Sequence, residues 1–193
     1  MRIEILVEEP SMKAFLEGIF DKINSSPNWK LNENVFIRSF EGKSHLKKAL
    51  PTKAKVYKNF HEPVKLVVIH DQDSSDCKTL KDSLTALISS TNFTNYKIRI
   101  VCKELENWYF GDINALEEVI PGLSSKNLKN KAKFRNPEKP NGKEELRKFL
   151  PGYGAIGFAT EIAQFIDIDN NRAESFNQTI AVLQNILSDE INQ

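Results

Sequence analysis

The stretch VKLVVIHDQDSSD, residues 64–76, decides how the rest of the chain is read. Val64 to Ile69 is a near-continuous run of β-branched and apolar side chains, broken by a single lysine. Such a run marks a strand covered on both faces, as central strands of parallel sheets are. At His70 the texture changes at once, to Asp71-Gln72-Asp73-Ser74-Ser75-Asp76. A buried strand that ends in carboxylates carries charge to the edge of the sheet where ligands bind.

Upstream, MRIEILV (residues 1–7) reads as a strand that stops at Glu8-Glu9-Pro10-Ser11. Phe15, Leu16, Ile19, Phe20 and Ile23 then recur at helical spacing, in a helix that Pro27 is expected to end. VFIRSF (35–40) is a second strand, followed by Glu41-Gly42-Lys43 and a Lys-rich helix to about Lys58. Downstream, Leu80, Leu84, Leu87 and Ile88 lie on one side of a helix, and KIRIVC (97–102) is a fourth strand. Lys103-Glu104-Leu105-Glu106-Asn107-Trp108-Tyr109 opens another helix. Strand and helix thus alternate, which predicts an α/β, Rossmann-like fold with a mainly parallel central sheet flanked by helices. Three of the four strands end in acid: Glu8, then Asp71 and Asp73, then Glu104 and Glu106.

After about residue 120 the pattern weakens. Residues 124–148 hold nine Lys or Arg against three Glu, with Pro137, Pro140 and Gly142, and read as a basic loop with short helical pieces. Residues 153–191 return to helical periodicity through Ile162, Phe165 and Ile166, then Phe176, Ile180, Leu183, Ile186 and Leu187. The expected organisation is one domain over 1–193, with its core in about 1–120 and a helical C-terminal part. A charged fraction of 27% against 40% hydrophobic residues suits a globular chain, and a formal net charge of +1 means that polyanion binding must come from local patches. Cys77 and Cys102 stand 25 residues apart with no zinc-type spacing and no context that supports a disulfide. No apolar run approaches the ~20 residues of a membrane span, so a cytoplasmic protein is expected.

Mg²⁺ or Mn²⁺ takes hard oxygen ligands and keeps several waters, so a few carboxylates and a substrate phosphate complete its shell. Asp71 and Asp73 are placed so that both can reach one ion, and Glu8 supplies a third oxygen or a general base on water. The plainer reading is a loop turn in which Asp73, Ser74 or Ser75 caps the following helix. A calcium loop fails, because Asp76 stands where Gly is required. A dehalogenase-type phosphatase also uses Asp-x-Asp, but after its first strand, whereas here the motif follows the third.

The pieces LVEEPS, FEGKSHLKK, VVIHDQDSSDCKTLK, KELENWYFGD and NNRAESF together resemble a bacterial family catalogued as domain of unknown function 4276. The Glu after the first strand and the Asp-x-Asp after a central one also resemble the Toprim domain of topoisomerases, primases and overcoming-lysogenization-defect nucleases. The resemblance implies metal-dependent cleavage of nucleic-acid phosphodiesters (DNA before RNA), with a recombination-type ATPase as partner in antiphage defence. It also implies a metal-site role for Glu106. Two positions depart from the Toprim pattern: Glu9 stands where Gly is usual, and Met12 where an acid is common. They favour the competing view of a non-catalytic subunit that keeps the shape and serves the ATPase.

Lys43, at the end of the second strand, is expected to stabilise charge developing on a phosphate oxygen. Lys47, Lys48, Lys53, Lys55 and Lys58 continue a run without acid, either a solvated helix face or a surface that tracks phosphates. Arg172, in the late motif, is expected to contact phosphate or to pair with Glu174 or the Asp-x-Asp loop. Glu104 and Glu106 suit a helix start on dipole grounds alone. His70 is expected to be a buried strand-end histidine and Trp108 a core residue.

Overall fold

Strand and helix alternate through the first hundred residues of the computed structural model, which describes residues 1–188. Strands β1 (Arg2–Val7), β2 (Val35–Ser39), β3 (Val64–Asp71) and β4 (Tyr96–Val101) pair in the order β2-β1-β3-β4, every pair parallel. Helices α1 (Pro10–Gly18) and α2 (Phe20–Ile23) join β1 to β2, α3 (Lys43–Lys58) joins β2 to β3, and α4 (Cys77–Ser89) joins β3 to β4. Helices α5 (Leu105–Gly111), α6 (Ile113–Val119), α7 (Gly142–Phe149), α8 (Ala155–Ala163) and α9 (Glu174–Ser188) follow. The arrangement is Rossmann-like, as the alternation predicts. Among the described residues no helix is long and apolar enough to cross a membrane.

The connections explain where a site can form. The chain steps from β1 outward to β2, then reverses direction to reach β3 on the other side of β1. Right-handed crossovers in opposite directions put their helices on opposite faces. Accordingly Ile3, Ile5, Val7, Val67 and Ile69 pack in one core with α1, α5, α8 and α9, while Leu6, Leu66 and Val68 pack in a second with α3 and α4. The reversal opens a crevice between the carboxyl ends of β1 and β3, the switch point at which such sheets bind ligands.

One charge lies inside the second layer. Glu4, on β1, is 1% exposed. It accepts hydrogen bonds from Arg2 Nε (2.6 Å), Arg38 Nε (2.6 Å) and Tyr57 OH (3.0 Å). Arg2 in turn lies 3.6 Å over the Phe36 ring. The carboxylate is therefore fully answered, and it ties β1 to β2 and α3.

Several local expectations need correction. The first helix breaks at Ile19 (φ −97°, ψ 1°), and its continuation ends at Ile23, before Pro27 is reached. The cap of α4 is Asp76, whose side chain accepts the Thr79 N–H at 2.8 Å, and not Asp73, Ser74 or Ser75. Residues 124–148 are more ordered than a loop: three 3₁₀ turns and α7 bury Leu128, Phe134 and Leu146. Phe165 follows the end of α8 and is exposed, so it lies off the apolar face. Residues 189–193, with Ile191, lie outside the described residues.

Glu4→Gln should lower the unfolding free energy by about 2–4 kcal/mol, because two guanidinium groups lose a buried counter-charge. Glu62→Gln, which removes a partly exposed partner of the N-terminal amine, should change it by less than about 1 kcal/mol. Urea melts of the two variants check this contrast.

Candidate functional site

Side chains alternate along a strand, and that parity sorts the acids. On β3, Leu66 and Val68 face α3, so His70 does too, while Val67 and Ile69 face α5 and carry Asp71 with them. Glu8, two residues after Leu6, falls on the α3 side with His70. The carboxylates of Glu8 and Asp71 thus flank the ends of two paired strands from opposite faces.

Glu8 is buried, at 8% exposure. Its carbonyl accepts the N–H of Gly42 at 3.1 Å, and Gly42 has φ 87°, a conformation that glycine adopts without strain. This bond sets the end of β1 against the start of α3. The main-chain N–H of Asp71 lies close enough to the Glu8 carboxylate to favour its charged form. Its Oε2 stands 3.1 Å from His70 Nδ1, yet Nδ1 lies closer, at 2.6 Å, to the Asp71 carbonyl oxygen. With the ring proton directed there, Oε2 keeps no hydrogen bond, and neither does the buried His70 Nε2. Burial first, and then the charge of Asp73, push Glu8 up to about 7. Burial holds His70 below its usual value, so the ring is neutral and gives Glu8 no counter-charge.

Asp71 is half-buried, and among the described residues no hydrogen bond or ion pair reaches its carboxylate. Burial and then the charges of Glu8, Glu106, Glu9 and Asp73 all raise it well above the usual carboxylate range. Glu106, in the first turn of α5, is 4% exposed and accepts the Tyr153 hydroxyl at 2.8 Å. Burial raises it as well.

The Asp-x-Asp loop extends the β3–β4 pairing beyond the strands. Gln72 N–H donates to the Val101 carbonyl (2.9 Å) and Asp73 N–H to that of Lys103 (3.0 Å). Asp73 takes a left-handed φ of 53°, which Asp tolerates better than most residues. Its exposed carboxylate accepts Lys43 Nζ at 3.0 Å. An open cleft of about 430 Å³ borders it, lined by Asp73, Ser74, Lys103, Lys143 and Arg147 among others. Asn107 fixes the far wall, donating to the carbonyls of Pro137 (2.6 Å) and Pro140 (2.9 Å). A Cβ on Gly142 would stand 2.7 Å from Asn107 N, so only glycine lets α7 approach α5 so closely.

Several predicted residues fall elsewhere. Lys47, one turn beyond Lys43, is close enough to lower His70 electrostatically. Lys53 lines a separate cleft with Lys13, Arg38 and His45. Lys55 and Lys58 sit in the last turn of a 16-residue helix, roughly 20 Å from Lys43. Arg172 neither faces the carboxylates nor pairs with Glu174. Its guanidinium donates to the carbonyls of Gly111 (3.2 Å), Phe134 (3.1 Å) and Phe110 (2.9 Å), which staples the end of α5. The two departures from the Toprim pattern have local causes. Glu9 is extended (φ −131°), so no glycine is required, and Met12 is buried in the first core. Sequence reasoning missed Lys103 and Tyr153, and reached Lys143 and Arg147 only as members of the basic segment Lys126 to Lys148. Lys103 is legible, since it directly follows a strand; nothing flags Tyr153.

Among the described residues no three His, Cys, Asp or Glu side chains meet around one point. The donors nonetheless suit a hard cation: they are oxygen atoms, and among the described residues the buried Glu8 Oε2 has no hydrogen-bond partner.

Glu8 and Asp71 hold protons more tightly in the fold than in the unfolded chain. The folded state therefore binds more protons between the unfolded value near 4.5 and about 7, and stability falls as pH rises through that window. The share of Glu8 amounts to about 3 kcal/mol at the alkaline end. In EDTA, the melting temperature should drop from pH 5 to 7.5, and Glu8→Gln should flatten the decline. A wild-type curve that rises over this range would contradict the assignment.

A family profile matches residues 7–184, a span that takes in every acidic residue of the cluster. No curated protein and no solved structure matches the chain. The chain belongs to the family described as Domain of unknown function (DUF4276).

Proposed function

We propose that the protein is a Mg²⁺- or Mn²⁺-dependent enzyme that cleaves phosphodiester bonds of nucleic acid, in the manner of Toprim nucleases. The observation that carries this reading is the crowding of acids without a counter-charge at the switch point: among the described residues buried Glu8 Oε2 has no hydrogen-bond partner, and half-buried Asp71 beside it is raised by burial and by the neighbouring acids. A protein does not keep such groups for stability. Glu8, Asp71, Asp73 and Glu106 would hold the ion, which supplies Lewis acidity toward a phosphate oxygen and toward water.

The remaining chemistry falls to the side chains. Glu8, poised near neutrality, is suited to take a proton from the attacking water. Lys43 is exposed and joined to Asp73 by one ion pair, so it can turn to a phosphate oxygen where charge develops. Lys103, Lys143 and Arg147 line the cleft beside Asp73 together with Glu104 and Glu144, and supply the cations there that can meet a substrate phosphate. Lys47, one turn along α3 from Lys43, adds a further cation near the site, whereas Lys53 belongs to a separate cleft. A partner ATPase and a role in antiphage defence rest on the resemblance alone, and a cytoplasmic setting on the lack of a long apolar run. The Lys43–Asp73 pair favours a second reading, a non-catalytic subunit in which lysine stands in for the ion.

Three measurements separate these readings. Wild-type protein should bind Mn²⁺ with release of protons, seen as a buffer-dependent heat in calorimetry near pH 6.5. Asp71→Asn with Asp73→Asn should abolish binding; unchanged affinity would favour the non-catalytic subunit. Plasmid and oligonucleotide cleavage with Mn²⁺, alone and with a partner ATPase, should fall at least ~100-fold in Glu8→Gln. Reversal of Lys143 and Arg147 to Glu should weaken oligonucleotide binding and flatten its salt dependence. Reversal of Lys55 and Lys58 should do neither, because they lie at the opposite end of α3.

A further inference from the structure

The two cysteines, 25 residues apart in sequence, meet in space. Cys77 is the first residue of α4, directly after the Asp-x-Asp loop, and Cys102 follows the last residue of β4. Their sulfur atoms lie 3.5 Å apart, and both are free and partly exposed. A disulfide requires about 2.05 Å, so the sulfurs need to close by roughly 1.5 Å, within reach of rotation about two side chains. Both thiols open onto a cleft of about 350 Å³ that also presents Lys78, Lys81 and Arg99, with Glu138 and Glu174. The buried Arg99 Nε has no hydrogen-bond partner among the described residues. A small disulfide that carries both carboxylate and ammonium groups fits that mixed lining, with its sulfur–sulfur bond toward the thiols.

We propose that Cys77 and Cys102 are a reversible dithiol/disulfide pair, oxidised by a low-molecular-weight disulfide such as oxidised glutathione, whose closure fastens the Asp-x-Asp loop to the end of β4. In the first step the Cys77 thiolate attacks one sulfur of the small disulfide and expels one thiolate. In the second, Cys102 gives up its proton, attacks the Cys77 sulfur and expels the other. Two small thiols leave and one protein disulfide remains, so atoms and electrons balance. Burial, and then the neighbouring Cys77 thiol, push the Cys102 thiol up. The closed bond would span the segment that carries Asp73 and the strand end next to Lys103, already joined by the Asp73 N–H to Lys103 carbonyl bond.

The purified chain, held without metal at graded ratios of oxidised to reduced glutathione, tests this. The expected product loses two hydrogens by intact mass, resists alkylation at both cysteines and runs as a monomer on a non-reducing gel. Its melting temperature should rise by roughly 5 °C or more. Amide exchange over residues 72–78 should slow. Cys77→Ser and Cys102→Ser should each remove these responses. Stable glutathione adducts on single cysteines, dimers joined between chains, or two free thiols at the most oxidising ratio would overturn the proposal. None of these readouts depends on metal or nucleic acid, so its failure leaves the nuclease reading untouched.

Discussion

Burial of carboxylates, and then their mutual repulsion, governs the carboxyl edge of the sheet. Two like charges a few ångströms apart in a protein of low effective dielectric repel by several kcal/mol, so the acids cannot all ionise without a cation. Glu8, Asp71 and Glu106 are all raised above the usual carboxylate range, each first by burial. What keeps them together is the rest of the fold. Gly42 fixes the end of β1, the Asp-x-Asp loop is sewn to β4 by two main-chain bonds, and Asn107 anchors the basic segment over α5.

Glu4 and Glu8 form a natural comparison. They are four residues apart on one strand, they face the same side, and both are buried. Glu4 has two arginines and a tyrosine around it; Glu8 has a main-chain N–H and a neutral histidine. A buried charge that is fully paired serves the fold, whereas one left without a counter-charge is a local conflict of the kind found at functional sites. The contrast separates architecture from chemistry within a single strand.

The sheet was legible because its strands are buried on both faces and announce themselves as apolar runs. Val64 to Ile69 states both its conformation and its central place. The acids were legible because they interrupt those runs. Their arrangement was not, since the parity that sends Glu8 and Asp71 to opposite faces depends on register between strands distant in sequence. Arg172 misled for a related reason: an arginine beside a motif looks free until the carbonyls of Gly111, Phe110 and Phe134 are placed around it. The lysine run in α3 reads as one surface, yet a helix of that length carries its two ends to opposite edges of the sheet.

The ammonium of Lys22 closes the first core from an unexpected direction. It donates to the carbonyls of Ala163 (3.0 Å), Gln164 (2.8 Å) and Ile166 (2.8 Å), capping the C-terminal end of α8 from more than 140 residues upstream. Trp108 likewise meets Ser175 of α9, and Phe15 of α1 packs on Trp108 and Phe176. One face of the sheet is therefore roofed in part by segments far downstream in sequence. Without α8 and α9, the core around Ile3, Ile5, Val67 and Ile69 has only the α1 and α5 share of its cover. Contacts of such long sequence separation slow folding and leave apolar strands open meanwhile. A folding chain of this kind stays half-roofed until α8 and α9 dock.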